Sequence, residues 1–252
     1  MSQDYPPPPG QGGSPYPQRV RVQEPGGAAL VTYTLLGINV VVFLLQLGSE
    51  YLLGADYPAY LGLKVNELIL DGQLWRLFTP MFLHGSFLHI ILNMYALLAF
   101  GPTLERYYGH GRYILLYLVS GFAGNVLSFM FSLAPSLGSS TAIFWLLGAE
   151  AVFLYRNREL FGSSARRALT NLITIAVINL VIGTTGGIDN WGHVGGLIGG
   201  TLFAWFGGPL LEVQGGYPDL RLEDQRSSFQ ALLAGLGVFV LFSLLAFTEF
   251  VF

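Results

Sequence analysis

Asn190-Trp191-Gly192-His193-Val194-Gly195-Gly196-Leu197-Ile198-Gly199-Gly200-Thr201-Leu202-Phe203-Ala204-Trp205-Phe206-Gly207 holds no charged residue, yet it carries a histidine three residues from its start. As a helix it is long enough to cross a bilayer, which takes about 17–25 apolar residues. Gly195, Gly196, Gly199 and Gly200 form two overlapping small-xxx-small pairs, a spacing that lets a neighbouring backbone approach closely. This stretch is the sixth of seven apolar segments. The others run about 28–47, 82–102, 113–132, 139–155, 168–183 and 229–252. A long amphipathic stretch, 48–79, separates the first two, and a polar stretch, 212–228, precedes the last.

Composition agrees. The chain of 252 residues is 52% hydrophobic and 11% charged, whereas soluble domains hold roughly a quarter charged residues. A net charge of −3 with no basic stripe argues against a nucleic-acid partner. There is no cysteine, which removes disulfides, thiol catalysis and thiolate metal sites. Residues 1–27 are rich in Pro, Gly, Gln and Tyr and are expected to form a disordered tail. They lack the basic start and apolar core of a signal peptide, so insertion is expected to rely on the helices themselves.

The expected architecture is an all-α polytopic membrane bundle of seven transmembrane helices: a tail over 1–27, a six-helix core over 28–208, a linker over 209–228 and an additional C-terminal helix over 229–252. With the N-terminus in the cytosol, the inner loops hold ten Arg residues and the outer side only Lys64 and Arg76. That bias predicts a multi-pass protein of the cell membrane, N-terminus cytosolic and C-terminus outside.

Polar side chains inside such spans are costly and usually functional. The second segment carries His84, His89 and Asn93, the fourth opens Gly138-Ser139-Ser140-Thr141, and the sixth carries His193. Ser140 stands sixteen residues from Arg156, and His89 sixteen from Glu105, or roughly 24 Å of helix in each case. His193 lies roughly 5 Å into its helix from the outer end. A hydroxyl, two imidazoles and a carboxamide from three helices therefore share one outer-leaflet slab.

A neutral imidazole can take the proton of a serine hydroxyl and make it a nucleophile; His193 is the candidate base and Ser140 the candidate nucleophile. His89 and Asn93, one turn apart, share a helix face. With the Ser140 backbone N–H they can form a hole for a tetrahedral oxyanion. Asp189, four residues before His193, is better suited to capping the sixth helix, and Glu150 lies roughly 15 Å below Ser140, so the reading is a dyad. Proton or ion transport is the rival from residue types alone, although the inner half of the bundle is nearly bare of polar groups. A metal shared by His84, His89 and His193 is disfavoured, because a five-residue gap puts the first two about 140° apart on a helix. Neither a metal nor a cofactor is expected.

The run from Trp75 and Arg76 through His84, His89 and Asn93 to Met94 resembles the first-loop and second-helix signature of the rhomboid family, a Trp-Arg pair followed by H-x-x-x-N. Leu104-Glu105-Arg106 with Gly109, Tyr117 to Gly121, Ser136 to Phe144 around Gly138 and Ser140, and Ile188 to Gly196 around His193 resemble its further motifs, in order, over about 70–205. The resemblance implies an intramembrane serine endopeptidase, a hydrolase acting on single-pass transmembrane proteins within the lipid bilayer. It implies Ser140 as nucleophile, His193 as general base, His89 and Asn93 as oxyanion support, and Phe144 as an aromatic stacked on the histidine. The last span resembles the six-plus-one arrangement of part of the family. Two positions depart from the pattern. Thr141 stands where a glycine is expected and Trp145 where a small residue is expected, one turn apart on one helix face. If that face meets the glycines of the sixth helix, the two helices are held apart. A catalytically slow or inactive relative that binds transmembrane clients is the alternative.

Overall fold

The structure is a computed structural model. It describes residues 2–4, 19–138, 140–184 and 188–251, with side chains for all of these except 2–4, 19–21 and 140–143. Two short strands, β1 (Ser2–Asp4) and β2 (Arg19–Arg21), pair antiparallel. Among the described residues nine α-helices follow: α1 (Leu30–Leu53), α2 (Tyr57–Gly62), α3 (Asn66–Leu70), α4 (Phe87–Tyr108), α5 (His110–Phe131), α6 (Ser140–Arg156), α7 (Arg158–Gly183), α8 (Asn190–Gly207) and α9 (Ser228–Val251). A hairpin of β3 (Leu211–Gln214) and β4 (Arg221–Asp224) separates the last two helices. The chain is a polytopic helical membrane bundle. Among the described residues, α1, α4, α5, α7 and α9 are long and apolar enough to cross a membrane by length and composition. α6 and α8 are the shorter pair, packed in among them.

Several boundaries differ from the sequence reading. The second span was expected from residue 82, but α4 begins at Phe87, where Ser86 accepts a hydrogen bond from the His89 N–H at 3.2 Å. The preceding residues form 3₁₀ turns over Leu74–Leu77 and Thr79–Phe82. The fifth span was expected from residue 168. Helix instead starts at Arg158 and breaks at Gly162, whose φ of 56° is a backbone state glycine adopts without a steric penalty. The end of the expected disordered tail is tied down: the Gln23 N–H donates to Leu220 O at 2.8 Å and the Leu222 N–H donates to Gln23 O at 2.9 Å. Val22 is buried beside it. The Tyr107 hydroxyl also donates to the Glu24 carboxylate at 3.2 Å, so long-range partners supply an attachment that composition does not reveal.

The core is set by glycine. A Cβ on Gly195 would meet Ala123 O at 2.6 Å, one on Gly199 would meet Ala123 Cβ at 2.7 Å, and one on Gly200 would meet Trp145 O at 2.7 Å. From the other side, a Cβ on Gly148 would meet Leu197 O at 2.8 Å. α8 therefore lies backbone against backbone between α5 and α6. α9 closes the far side of α5: Phe239 packs on Phe122 at 4.9 Å between ring centroids, and Phe122 stacks on Phe78 of the first loop at 4.8 Å.

The start of α1 has no side-chain cap of its own. Glu105, at the end of α4 and 1% exposed, caps it from outside. Its carboxylate accepts from the Val31 N–H (2.8 Å), the Thr32 N–H (2.7 Å) and the Thr32 hydroxyl (2.6 Å), and it contacts His110 Nδ1 at 2.6 Å. A carboxylate at a helix N-terminus satisfies free N–H groups and complements the helix dipole. Glu105→Ala leaves these donors buried and unpaired and is expected to cost about 3 kcal/mol or more, read from unfolding in mixed micelles. Glu105→Gln, which keeps an acceptor, is expected to cost clearly less.

Candidate active site

The site lies where α4, α6 and α8 approach one another at the end of the bundle away from the arginine-rich loops. His193 stands in the first turn of α8 and is 5% exposed. Phe144, in the second turn of α6, stacks on it with centroids 4.2 Å apart and planes 16° from parallel. Both ring nitrogens of His193 are buried without a hydrogen-bond partner among the described residues. Two poised nitrogens in an apolar wall are costly unless something fills them. Ser140 opens α6, and its side chain, like that of Thr141, lies outside the described residues.

On α4, Asn93 is buried and its Nδ2 has no acceptor among the described residues. One turn earlier, His89 Nδ1 faces the Gly85 N–H at 3.5 Å, the long limit of a hydrogen bond. With Nδ1 turned to a donor, the ring proton belongs on Nε2. His89 and His193 lie within electrostatic reach of each other. The site thus assembles a base candidate, His193, with the N–H groups of His89 and Asn93, of which Asn93 Nδ2 has no acceptor among the described residues.

His84 does not behave as expected from the wheel. It precedes α4, so the 140° separation does not apply, and its ring meets that of His89 edge-on at 5.3 Å. The Gln46 amide of α1 grips its backbone, accepting from the His84 N–H at 3.0 Å and donating to its carbonyl at 3.2 Å. Among the described residues, no three His, Asp or Glu side chains gather as a metal site. Asp189 caps α8, accepting from the Gly192 N–H at 3.0 Å, and it also accepts from the Ser128 hydroxyl.

The rhomboid domain model matches residues 71–210, more than half of the chain. The chain belongs to the rhomboid family. It is 41% identical over 175 residues to the rhomboid protease GluP of Bacillus subtilis, covering 69% of this chain and 34% of that protein. It is 38% identical over 160 residues to RHOMBOID-like protein 9, chloroplastic, of Arabidopsis thaliana, covering 63% and 37%. It is 37% identical over 156 residues to Rhomboid-like protease 1 of Toxoplasma gondii, covering 58% and 49%. The chain thus spans from about a third to half the length of these relatives.

If the face bearing Thr141 and Trp145 met the α8 glycines, α6 and α8 were expected to be held apart; at Trp145 the faces do meet, and the contact is close. Gly200 seats on the Trp145 backbone, while the fully buried indole turns toward α5, edge-on to Tyr113 at 5.5 Å and Tyr117 at 5.8 Å. The helical wheel places a residue on a face but not its χ1.

Sequence reasoning also missed what holds the first loop. Lys64 and Arg76, counted as outer-surface charges, are buried, 0% and 2% exposed. Arg76 Nη1 and Nη2 donate to Leu63 O (2.8 Å) and Tyr60 O (2.9 Å). Lys64 Nζ donates to Ser132 O (2.7 Å), Ala134 O (2.8 Å), Ser128 O (3.4 Å) and Asn66 Oδ1 (3.1 Å). Burial lowers the pKa of Lys64, and the charges of Asp189 and then Glu67 oppose that shift. An isolated Lys between apolar residues was the available signal.

Gly200→Ala is expected to push α6 from α8 and cost about 1–3 kcal/mol. Gly37→Ala, where no atom lies within 4 Å of the added Cβ, is expected to be neutral or stabilising. Paired unfolding curves in one detergent check the contrast.

Proposed function

We propose that this chain is an intramembrane serine endopeptidase that cuts peptide bonds in or near the transmembrane segment of single-pass membrane proteins. The observation that carries the reading is His193, stacked on Phe144 with both ring nitrogens unpartnered among the described residues. Ser140 opens the same helix one turn before Phe144, so the two positions share a face of α6. Membership of a family that includes a named protease supports the same chemistry.

In this mechanism His193 takes the proton from Ser140 as its oxygen attacks the scissile carbonyl carbon. The carbonyl electrons move to oxygen, and that oxyanion is met by His89 Nε2–H, Asn93 Nδ2–H and the Ser140 backbone N–H. His193 then gives its proton to the departing amine, and water repeats the sequence on the acyl-enzyme. Water enters from the site end of the bundle, proposed as the outer face, with the arginine-rich end in the cytosol. Substrate helices enter from the side. α7, which buries only Ala165, Leu172 and Gly183 among its described side chains, is the loosest wall, and a helix must unwind to present a carbonyl.

A fluorophosphonate probe is expected to label the wild type and to miss Ser140→Ala, with His193→Ala strongly reduced; equal labelling of Ser140→Ala would sink the dyad. In liposomes, a single-span model substrate is expected to yield two fragments with the wild type and none with Ser140→Ala. Retention of intact substrate by both proteins would favour the client-binding alternative.

A further inference from the structure

Ser128, near the end of α5, touches two charged groups from different segments of the chain. Its hydroxyl donates to the Asp189 carboxylate, and its carbonyl accepts from Lys64 Nζ at 3.4 Å. Its hydroxyl oxygen also lies 3.1 Å from the Ser136 hydroxyl. Lys64 faces the last carbonyls of α5 and those of the loop after it, the end of a helix where a cation is favoured. Its backbone pairs antiparallel with Ser136, with the Lys64 N–H donating at 3.0 Å and the Ser136 N–H donating at 3.1 Å. Two residues on, the Gly138 N–H donates to Pro80 O at 3.0 Å. These bonds fix the chain as far as Gly138, two residues before Ser140. Asp189 caps the first turn of α8, and its carbonyl accepts from the His193 N–H at 3.2 Å. It therefore fixes where the helix carrying His193 begins.

We propose that Lys64 and Asp189, joined through Ser128, act as one positioning device that sets the register of the Ser140 approach against the His193 turn. A buried ammonium is costly alone. Here the carbonyls at and after the end of α5 and the Asn66 amide oxygen satisfy its donors, and the Asp189 carboxylate, within electrostatic reach, balances its charge. Neither residue takes part in bond making. Each holds one half of the proposed dyad, and the shared serine makes the halves interdependent. The catalytic consequence rests on the endopeptidase reading; the coupling itself does not.

The test uses the full chain in liposomes, with Lys64→Met, which keeps length and loses the charge and donors, and Asp189→Asn, which keeps a capping acceptor. Each is expected to lower kcat about 10–100-fold, as a misplacement near 1 Å does, with KM within about threefold and the folded fraction unchanged at the assay temperature. The double variant is expected to lose little more than the worse single one. Multiplying losses, or a kcat loss that tracks the unfolded fraction, would overturn the device. Hydrogen exchange provides an arm independent of activity. Lys64→Met is expected to speed exchange over 188–193, and Asp189→Asn over 133–138, the segment on the opposite side of Ser128. If neither variant reaches across, the proposal fails even where the enzyme is active. If the wild type cleaves nothing while exchange does cross, the endopeptidase reading fails and the coupling stands.

Discussion

The structure depends on how closely α8 approaches its neighbours. Lipid tails give apolar side chains no reason to prefer protein, so helices in a bilayer associate through packing and polar contacts. Gly195, Gly199 and Gly200 let α8 seat against Ala123 of α5 and the Trp145 backbone of α6, and Gly148 returns the contact from α6. Only at that separation does the first turn of α8 bring the His193 ring onto Phe144. The site is a by-product of a backbone-to-backbone fit a full helix turn below it.

That fit was legible as a glycine pattern, and the slab of polar groups was legible as arithmetic, because helical rise converts residue number into depth. That arithmetic put His89, Asn93 and His193 in one slab, whereas Phe144 came from the rhomboid resemblance alone. What was hidden depended on torsions and long-range partners. The face bearing Trp145 could only be offered conditionally as the one against α8, and its indole turns toward Tyr113 and Tyr117 of α5. The start of α4 was placed early because Phe82 and Leu83 are apolar, although the hydrogen bond that starts the helix comes from Ser86. Lys64 and Arg76 entered as loop charges, whereas both act as internal donors.

These buried ionic groups share a logic. Glu105 serves the free N–H groups at the start of α1, and Lys64 serves carbonyls at and just past the end of α5. Each lies beyond the helix it completes and far from it in sequence. These two helix ends are buried in protein, out of reach of water, so partners from other segments take its place. That arrangement converts a local need, four unpaired groups per helix end, into a tertiary constraint.

The hairpin at the arginine-rich end has a consequence for biogenesis. Gln23 is bonded to Leu220 and Leu222, and the same hairpin is anchored by Asn157, whose Oδ1 accepts from the Leu211 N–H at 2.7 Å, and by Arg112, which pairs with Asp224. Its strands leave the ribosome only after α8, so the segment before α1 must wait through the synthesis of eight helices for its partner. Non-local closure of this kind is slow, and domains build from the N-terminus as they are made. The bundle can therefore insert helix by helix while its membrane-surface lacing is the last piece to close.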